Sequence, residues 1–367
     1  MRPSRLGISS APIPFRSSFG HASATRDRAE NVLVFVEDAN GSFGLGEGCP
    51  RVYVTGETVE TARSFLVRHR QAFLELDSMD ALTDWMTRNA EEIDVNPSAF
   101  CAAELALLDL FARQRRESVE RLLGLEPLAR SLTTTAVYGT GAWLKFMAQA
   151  LLFRANGMRD AKLKLSGDAR RDVGRAAFLA RRGRVRLDAN NLWKDIGLAV
   201  GALSAIAPHA WAVEEPVGVR DWRGMSEVGA HTKLDIIVDE SCTRVEDLNA
   251  MPAGGSFIPN LRVSKLGGLV RSLAALRSAL DQHRKIIVGA QVGETSVLAR
   301  AGVALAAAAG DHLVGYEGAY GGRLLKWDIA TPSIVFARDG VVDLSAMALA
   351  PEGLGLQPSA AFEAKFR

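Results

Sequence analysis

The sequence predicts an α/β protein in which a closed barrel of parallel strands follows a smaller α+β unit. Its 367 residues, 48% of them hydrophobic, are enough for two units and a large buried core. After residue 131, eight short strand-like runs alternate with connections of helical length. A doubly wound open sheet is the competing fold, but no glycine fingerprint follows the first of these runs.

The N-terminal unit begins with a hairpin signal. Val32–Glu37 and Phe43–Glu47 are apolar-rich runs separated by a turn that contains Asn40-Gly41. A helix start is predicted at Asn96-Pro97-Ser98, since apolar residues recur after it at helical spacing. We place the end of this unit near Leu123-Gly124.

The eight later runs are followed by helical connections, which predicts parallel strands joined by right-handed crossovers. Eight such strands close a barrel. The runs are Thr133–Tyr138, Ala161–Leu165, Arg184–Asp188, Ala212–Glu215, Ile236–Glu240, Phe257–Val263, Ile286–Gly289 and Leu313–Glu317. Beyond them, Ile334–Ala337 and Val341–Leu344 flank Asp339-Gly340, a second hairpin signal, in a tail that we expect to pack on the N-terminal unit.

Composition argues against several classes of partner. The 44 basic and 42 acidic residues nearly cancel and are scattered, so neither nucleic acid nor a membrane surface is expected as a partner. No apolar stretch is long enough to span a bilayer, and no secretory signal is recognisable. Cys49, Cys101 and Cys242 lack metal-ligand spacing, which favours free thiols and a cytoplasmic location. A homo-oligomer is the usual expectation for such a protein.

In three of the runs, apolar residues are followed by a carboxylate at the end of the run. These acids are Asp188, Glu214 and Asp239, one βα unit apart, so neighbouring strands present them at one end of the barrel. Hard oxygen ligands without His or Cys suit Mg²⁺. The alternative is that each acid is an ordinary loop or helix-cap group.

The second run contains Lys162-Leu163-Lys164, in which the two lysines point to one face. Mutual repulsion and burial are expected to lower the pKa of at least one lysine, which then serves as a general base. A solvated, lysine-rich edge is the alternative. With a metal that neutralises a substrate carboxylate, such a lysine removes the α-proton and leaves a stabilised enediolate, the arrangement known from the enolase superfamily.

From Asn31 to about Asp328 the chain resembles the enolase superfamily, and within it the muconate lactonizing (cycloisomerase) subgroup. The resemblance implies a (β/α)7β modified TIM barrel over residues 126–329 and an α+β capping domain over residues 1–125, joined by the tail 330–367. It also implies metal ligands, a base and its assistant. The motifs are Lys162-Leu163-Lys164, Leu187-Asp188-Ala189-Asn190, Val213-Glu214-Glu215-Pro216, Asp239-Glu240-Ser241 and Ser264-Lys265-Leu266-Gly267-Gly268. The implied roles are Asp188, Glu214 and Asp239 for Mg²⁺, Lys164 as base and Lys162 as its assistant.

The chain departs from the family on the sixth strand. Arg262 stands where the family usually has a second catalytic lysine, and Lys265 follows where the family often has a non-catalytic one. Both are candidates for the second catalytic position. Because arginine stays protonated, two-base racemisation loses support and one-base chemistry gains it. Such chemistry is cycloisomerisation or a syn elimination of the o-succinylbenzoate synthase type.

The remaining candidates lie in loops. The eighth-strand segment Tyr316-Glu317-Gly318-Ala319-Tyr320 lacks the Asp-x-Asp pattern of dipeptide epimerases, and Glu317 is expected to touch the substrate or donate a proton. His21 and Tyr53 lie in loops expected to cover the barrel mouth and are candidates to contact the substrate, although a lone His or Tyr in a loop is more often a surface residue. The segment Gly289-Ala290-Gln291-Val292-Gly293-Glu294-Thr295 is either a tight turn or part of the site.

The sequence therefore predicts a Mg²⁺-dependent isomerase or lyase that acts on a small carboxylate, with cycloisomerase-like chemistry. A syn-dehydratase and an epimerase or racemase remain alternatives within the same class. A barrel that binds a metal and a carboxylate without turnover is the alternative from another class.

Overall fold

The N-terminal unit is an antiparallel sheet covered by helices. The computed structural model describes residues 1–21, 24–126, 131–254 and 256–366, and gives the backbone but not the side chains of residues 17–21 and 24–26. The strands pair in the order β1 (Pro3–His21), β2 (Ala24–Asp38) and β3 (Phe43–Gly48). The predicted hairpin between the last two is confirmed, with Gly41 at a φ of 83° in the turn.

In the described part of the N-terminal unit, six helices follow the sheet. They are α1 (Val52–Thr55), α2 (Val59–Glu75), α3 (Met79–Arg88), α4 (Ala90–Val95), α5 (Pro97–Gln114) and α6 (Val119–Leu122). Helix α5 starts where Asn96-Pro97-Ser98 predicted it, because proline fits the first helical turn, where no backbone donor is needed.

Helix α5 lies directly on strand β3. A Cβ atom added at Gly44, Gly46 or Gly48 would approach a carbonyl oxygen of α5 to 1.9, 1.8 and 1.9 Å respectively. Because real Cβ atoms do not come so close to backbone oxygens, only glycine permits this contact. The helix is buried along nearly its whole length as a result.

Eight parallel strands form the barrel. They are β5 (Ala136–Tyr138), β6 (Asp160–Lys164), β7 (Arg184–Asp188), β8 (Ala212–Glu214), β9 (Asp235–Val238), β10 (Phe257–Leu261), β11 (Ile286–Val288) and β12 (Leu313–Tyr316), after a short β4 (Leu132–Thr133). A parallel bridge between Thr134 and Tyr316 closes the ring. Each strand overlaps its predicted run, and the predicted fold class is confirmed.

Seven helices connect the eight strands, which gives the (β/α)7β pattern. They are α7 (Trp143–Ala155), α8 (Ala169–Ala180), α9 (Ile196–Ile206), α10 (Trp222–Thr232), α11 (Val245–Ala250), α12 (Leu269–Asp281) and α13 (Ser296–Ala309). Aspartates at the N-caps of α8, α9 and α10 accept backbone N–H groups and fix where these helices begin. Single turns of 3-10 helix lie at Ala207–His209, Gly310–His312 and Leu344–Ala346.

The C-terminal tail returns to the N-terminal unit. Its elements are α14 (Gly321–Leu324), β13 (Ala330–Thr331), β14 (Val341–Val342), β15 (Gln357–Pro358) and α15 (Ala360–Glu363). Leu354 N donates to Asp109 Oδ1 at 2.7 Å, and the rings of Phe362 and Phe35 lie 6.1 Å apart. The limits of the two domains stay a prediction.

One tail prediction is wrong in detail. Ile334–Ala337 does not form a strand, although Ala337 N donates to Val341 O at 2.8 Å across the turn. Strand β14 pairs instead with β4, where Val341 lies opposite Thr133. The hydrogen bonds across the turn involve only Ala337, which is too little to make a ladder, and β14 pairs with β4 instead.

Two buried carboxylates fasten the N-terminal unit to barrel helices. Glu47 accepts hydrogen bonds from Thr295 N at 2.9 Å and Leu298 N at 3.1 Å, at the start of α13. Glu104 accepts from Leu269 N at 2.9 Å and Val270 N at 2.7 Å, at the start of α12. Helix N-termini have unpaired donors, so each acid completes a helix of the other unit. Burial raises the pKa of both carboxyls to about 7.

In the described part of the chain, no helix is both long and apolar enough to cross a membrane. Cys49, Cys101 and Cys242 are buried and free, as their spacing predicted.

Candidate active site

The three predicted metal-binding acids lie at neighbouring strand ends. Asp188 ends β7, Glu214 ends β8, and Asp239 follows the last residue of β9. Asp188 and Glu214 are register partners in the parallel ladder. All three side chains are buried, so the structure brings them to one end of the barrel, as predicted.

Each of these acids faces a cation. Asp188 Oδ2 lies 2.9 Å from Lys164 Nζ, and Glu214 Oε2 lies 2.9 Å from Lys162 Nζ. Burial would raise the pKa of Asp188, but the two lysines outweigh it and lower that pKa to about 2. Burial raises the pKa of Glu214 to about 8, and the nearby acids add to the effect although Lys162 opposes it.

The donor set has the chemistry that Mg²⁺ prefers. Asp188, Glu214 and Asp239 offer buried carboxylate oxygens from three adjacent strands, and among the described residues no His or Cys lines the cavity beside them. Across the described residues, however, no group of three or more His, Cys, Asp or Glu side chains is arranged to hold a metal ion. The acids point at ammonium and guanidinium groups instead, and the metal assignment stays a prediction.

The two lysines of β6 both face the barrel interior. Lys162 is 3% exposed and Lys164 is 8% exposed, so they do not form a solvated edge. Lys162 Nζ is held between Glu214 and Glu317, at 2.9 and 3.1 Å. Lys164 Nζ donates to Asp188 at 2.9 Å and to Asn190 Oδ1 at 2.8 Å.

The lowered pKa expected of at least one of these lysines is not found at Lys162. Burial alone lowers the pKa of this ammonium, but Glu214, Glu317 and Asp188 together raise it well above its usual range. Burial and the neighbouring lysine would lower this pKa, but acids from distant strands, which local sequence does not reveal, outweigh them.

Arg262 and Lys265 lie in different environments beyond β10. Arg262 borders the central cavity, where its guanidinium donates to Asp239 Oδ2 and, at 3.1 Å, to Gln291 Oε1. Lys265 is fully buried outside the cavity lining, and its Nζ donates to Asp239 O, Asp239 Oδ1 and Asn260 O at 2.7 to 2.8 Å. Although burial opposes it, Asp239 and neighbouring acids raise the pKa of Arg262, which stays protonated.

Glu317 follows β12 and borders the same cavity. Lys162 lies 3.1 Å from its carboxylate, and Arg186 Nη2 donates to it at 2.7 Å. These two cations outweigh burial and lower the pKa of Glu317. Arg186 also contacts Asp160 at 2.7 Å, so a chain of charges runs through the barrel interior.

A cavity of about 460 Å³ opens at this end of the barrel. Tyr53 from the N-terminal unit lines it, together with both lysines of β6. Ala290 to Glu294 also line it, which assigns that segment to the site and not to a remote turn. His21 is the last residue of β1, and its side chain is outside the described residues.

Sequence reasoning missed several residues at the site. Arg186 precedes Asp188 by two positions on β7, so the strand period could have placed it inside the barrel. Glu215 accepts from Asp239 N and Ser241 N, at 2.8 and 2.7 Å, and fixes the end of β9. Leu152 and Phe153 of α7 also line the cavity. They gave no local signal, because a Leu or Phe that lines a cavity looks in sequence like any core residue.

A family described as "Enolase C-terminal domain-like" matches residues 145–361, more than half of the chain. The chain belongs to the enolase superfamily. The match covers seven of the eight barrel strands together with most of the C-terminal tail.

Relatives within the superfamily have several activities. The hydrophobic dipeptide epimerase of Enterococcus faecalis is 26% identical over 319 residues, which are 84% of this chain and 88% of that protein. A dipeptide epimerase from Enterococcus faecalis, complexed with Mg and L-Leu-L-Tyr, superposes with a TM-score of 0.83 at 22% identity, covering 97% of this chain and all of that one.

A muconate lactonizing enzyme from Pseudomonas fluorescens, complexed with muconolactone, has a TM-score of 0.86 at 23% identity, with 100% of this chain and 99% of that chain covered. Epimerases and a lactonizing enzyme thus share this fold with the chain. The structural likeness therefore shows the fold and does not single out the muconate lactonizing subgroup.

Proposed function

We propose that this protein is a Mg²⁺-dependent isomerase or lyase that removes the α-proton of a carboxylate substrate on one face only. Lys164 is the base in this proposal, and Arg262 stabilises the charge that develops on the opposite face. The observation that carries the proposal is the arginine at position 262, on the cavity wall across the barrel from the lysine pair.

The environments of the two lysines support Lys164 as the base. Lys162 is tied to two acids, Glu214 and Glu317, and its raised pKa keeps it protonated. Lys164 borders the cavity and lies beside Asp188, so its amine is next to the predicted carboxylate-binding position. Lys162 then acts as a fixed positive charge in the floor of the site.

Asp188, Glu214 and Asp239 would hold the Mg²⁺ ion. When bound, that ion supplies charge neutralisation for the substrate carboxylate and for the enediolate that it becomes. Lys265 positions Asp239 by donating two hydrogen bonds to it and one to Asn260 O, and so this lysine is not a second base in the proposal.

Arg262 determines the class of chemistry. Strand β10 is four positions from β6 in the eight-stranded ring, so Arg262 approaches the α-carbon from the side opposite Lys164. A guanidinium that stays charged cannot take a proton from the substrate. Removal and return of the α-proton are thereby confined to the face of the substrate that Lys164 approaches, as in a cycloisomerisation or a syn elimination.

An isotope experiment tests this proposal. We expect the protein with Mg²⁺ in D₂O to incorporate deuterium at the α-carbon of an accepted acid while the L configuration is retained. The probes are muconolactone, L-Leu-L-Tyr and N-propionyl-L-leucine, followed by mass spectrometry and chiral chromatography. Formation of the D isomer by the wild-type protein would contradict one-base chemistry.

Epimerisation is the second candidate, and the similarity to dipeptide epimerases favours it. Replacing Arg262 separates the two candidates. If the wild-type protein uses one base, Arg262→Lys should create a second base and yield the D isomer that the wild type does not form. Arg323→Lys, the same chemical change at the cavity mouth, is the matched control and should leave the stereochemistry unchanged.

A barrel that binds without turnover is the remaining alternative. It predicts calorimetric binding of these acids with Mg²⁺ present, but neither deuterium incorporation nor product. That result would reject the enzymatic proposal for the tested acids.

A further inference from the structure

Helix α7, which follows β5, is apolar on its outer face as well as on its inner face. The inner face is buried against the barrel, as expected of a barrel helix. The outer face of such a helix is normally polar in a monomer. In α7, however, Leu144 is 82% exposed, and Leu152 and Leu151 are 56% and 51% exposed. The next helix, α8, follows the usual pattern and exposes Arg170 and Arg171.

The exposed apolar residues of α7 form one continuous surface. Leu144, Ala148 and Leu152 follow one another at intervals of four residues, and Leu151 is seven residues from the first of them. Residues four and seven apart lie on the same face of an α-helix. We call this surface the α7 stripe, and its members are Leu144, Ala148, Leu151 and Leu152.

Trp143 extends the apolar surface at the N-terminal end of the stripe. It is 47% exposed, and its ring lies 5.3 Å from that of Phe146 and 6.3 Å from that of Phe178. Fixed, partly exposed aromatic side chains are enriched at protein interfaces. With the three leucines, Trp143 exposes roughly 500 Å² of apolar surface, and patches of this size mark interaction sites.

The area and the symmetry of the stripe fit a second copy of this chain. Two copies that cover each other here would bury roughly 1,000 Å², which is the lower bound for a specific interface. In a two-fold pair the same surface meets itself. Two antiparallel α7 helices would place Ala148 against its own copy, where the short side chain allows close approach, and Leu144 against Leu152.

The cations of α7 are compatible with this arrangement. With Ala148 on the two-fold axis, Lys145 lies opposite Leu151 of the other copy. The two copies of Lys145 are then about 9 Å apart along the helices, and their ammonium groups point to the rim. A lysine can cover apolar surface with its methylene groups while its ammonium group stays in water.

We propose that two copies of this protein associate through their α7 stripes, with the helices antiparallel and Ala148 at the two-fold axis. Leu152 belongs to the stripe and also lines the central cavity. The second copy therefore lies beside the cavity mouth and covers the exposed side of this leucine.

Sedimentation equilibrium of the full-length protein tests the association. The wild-type protein at micromolar concentration should have the mass of two chains or a multiple of it. Leu144→Lys adds a cation to a stripe flanked by Lys145 and Arg154, so the dissociation constant of the pair should rise by at least about 100-fold and the mass should fall to one half. Because Leu144 is exposed in the single chain, this variant should keep its fold, as checked by circular dichroism.

Leu198→Lys is the matched control. Leu198 is 68% exposed on α9, outside the stripe, and the same change there should leave the mass at the wild-type value.

A disulfide tests the symmetry of the pair. A residue on a two-fold axis meets its own copy, so Ala148→Cys should join two chains when diamide takes the hydrogens of the two thiols. Non-reducing electrophoresis detects the product. The native cysteines are buried and should not react. Ala205→Cys, at an exposed alanine of α9, is the matched control and should stay a single chain.

A wild-type protein that sediments as a single chain, whether free or bound to phosphatidylglycerol vesicles, would overturn the proposal. So would an assembly that survives Leu144→Lys, or one that Leu198→Lys disrupts equally. Failure of Ala148→Cys to cross-link, or equal cross-linking of Ala205→Cys, would overturn the antiparallel pairing about Ala148.

Discussion

Buried carboxylates occur in two regions of this protein, and their partners differ. At the contact between the N-terminal unit and the barrel, Glu47 and Glu104 accept hydrogen bonds from backbone N–H groups of barrel helices. At the barrel mouth, Asp188 and Asp239 face lysine and arginine side chains. The first pair has raised pKa values and the second pair has lowered ones.

This difference separates the two helix-capping acids from Asp188 and Asp239, whereas Glu214 at the same barrel mouth has a raised pKa. A carboxyl that caps a helix is fixed by the fold, and burial makes its charge costly. A carboxylate that faces a side-chain cation keeps its charge, and that charge is available to a metal ion or a substrate.

The largest effect is expected at Lys164. In Lys164→Met the proposed base is lost, so α-deuterium incorporation should fall by about 10³-fold. Asp188 keeps Lys162 at 3.5 Å, and the fold should therefore persist, as checked by circular dichroism. Lys145→Met, on the exposed side of α7, is the control. Incorporation within about tenfold of the wild type would reject Lys164 as the base.

Lys265 should matter for stability. Lys265→Met leaves three buried acceptors on Asp239 and Asn260 without their donor, so the free energy of unfolding should fall by about 3–5 kcal/mol. Urea denaturation measures this change. Lys285→Met, which removes an exposed ion pair with Asp235, should cost less than about 1 kcal/mol. A similar cost for both variants would show that Lys265 is not a buried anchor.

Asp188 should control metal affinity. Loss of a residue that hydrogen-bonds to a metal ligand lowers metal affinity by about 10–100-fold. Replacing a direct ligand in Asp188→Asn should therefore weaken Mn²⁺ binding by roughly 100-fold or more. Calorimetry with Mn²⁺ alone reports this without turnover. Asp195→Asn is the matched control, because asparagine also caps the start of α9. Unchanged affinity in Asp188→Asn would place the metal elsewhere.

The smallest effect is a pH dependence at Glu104. Its pKa rises from 4.5 to about 7 in the folded protein, so between these values the folded state holds a proton that the unfolded chain has lost. The free energy of unfolding therefore decreases as pH rises through this window. In Glu104→Gln that decrease should be smaller by roughly 1–3 kcal/mol between about pH 5 and pH 8.

Urea denaturation at the two pH values measures the difference. Glu91→Gln, on an exposed position of α4, should keep the full wild-type decrease. The same pH dependence in Glu104→Gln and in the wild-type protein would show that Glu104 does not titrate in this window.

Most of the barrel could be predicted from local sequence. The run Arg184–Asp188 coincides with β7, because an apolar body ending in an acid marks both the strand and its functional end. The C-terminal tail was harder to predict than the barrel. Its strand β14 pairs with β4, some 200 residues earlier, and such a partner has no local signature.

The site could be predicted only where strand periodicity governs it. Lys162 and Lys164 share a face because they are two residues apart on a strand. Arg262 and Lys265 follow the end of β10, where alternation no longer applies, so sequence could not tell which of them borders the cavity. The sign of the Lys162 pKa shift depends on Glu214 and Glu317, which only the closed ring brings near it.

The three glycines of β3 have a mechanical consequence for the catalytic end. They allow the backbone of α5 to contact β3 directly. Glu104 on α5 in turn accepts hydrogen bonds from the first residues of α12. The turn just before α12 contains Lys265 and begins at Arg262. A methyl group added at Gly46 would push α5 away from the sheet. Because Glu104 links α5 to the start of α12, that displacement would be passed on to the turn that begins at Arg262.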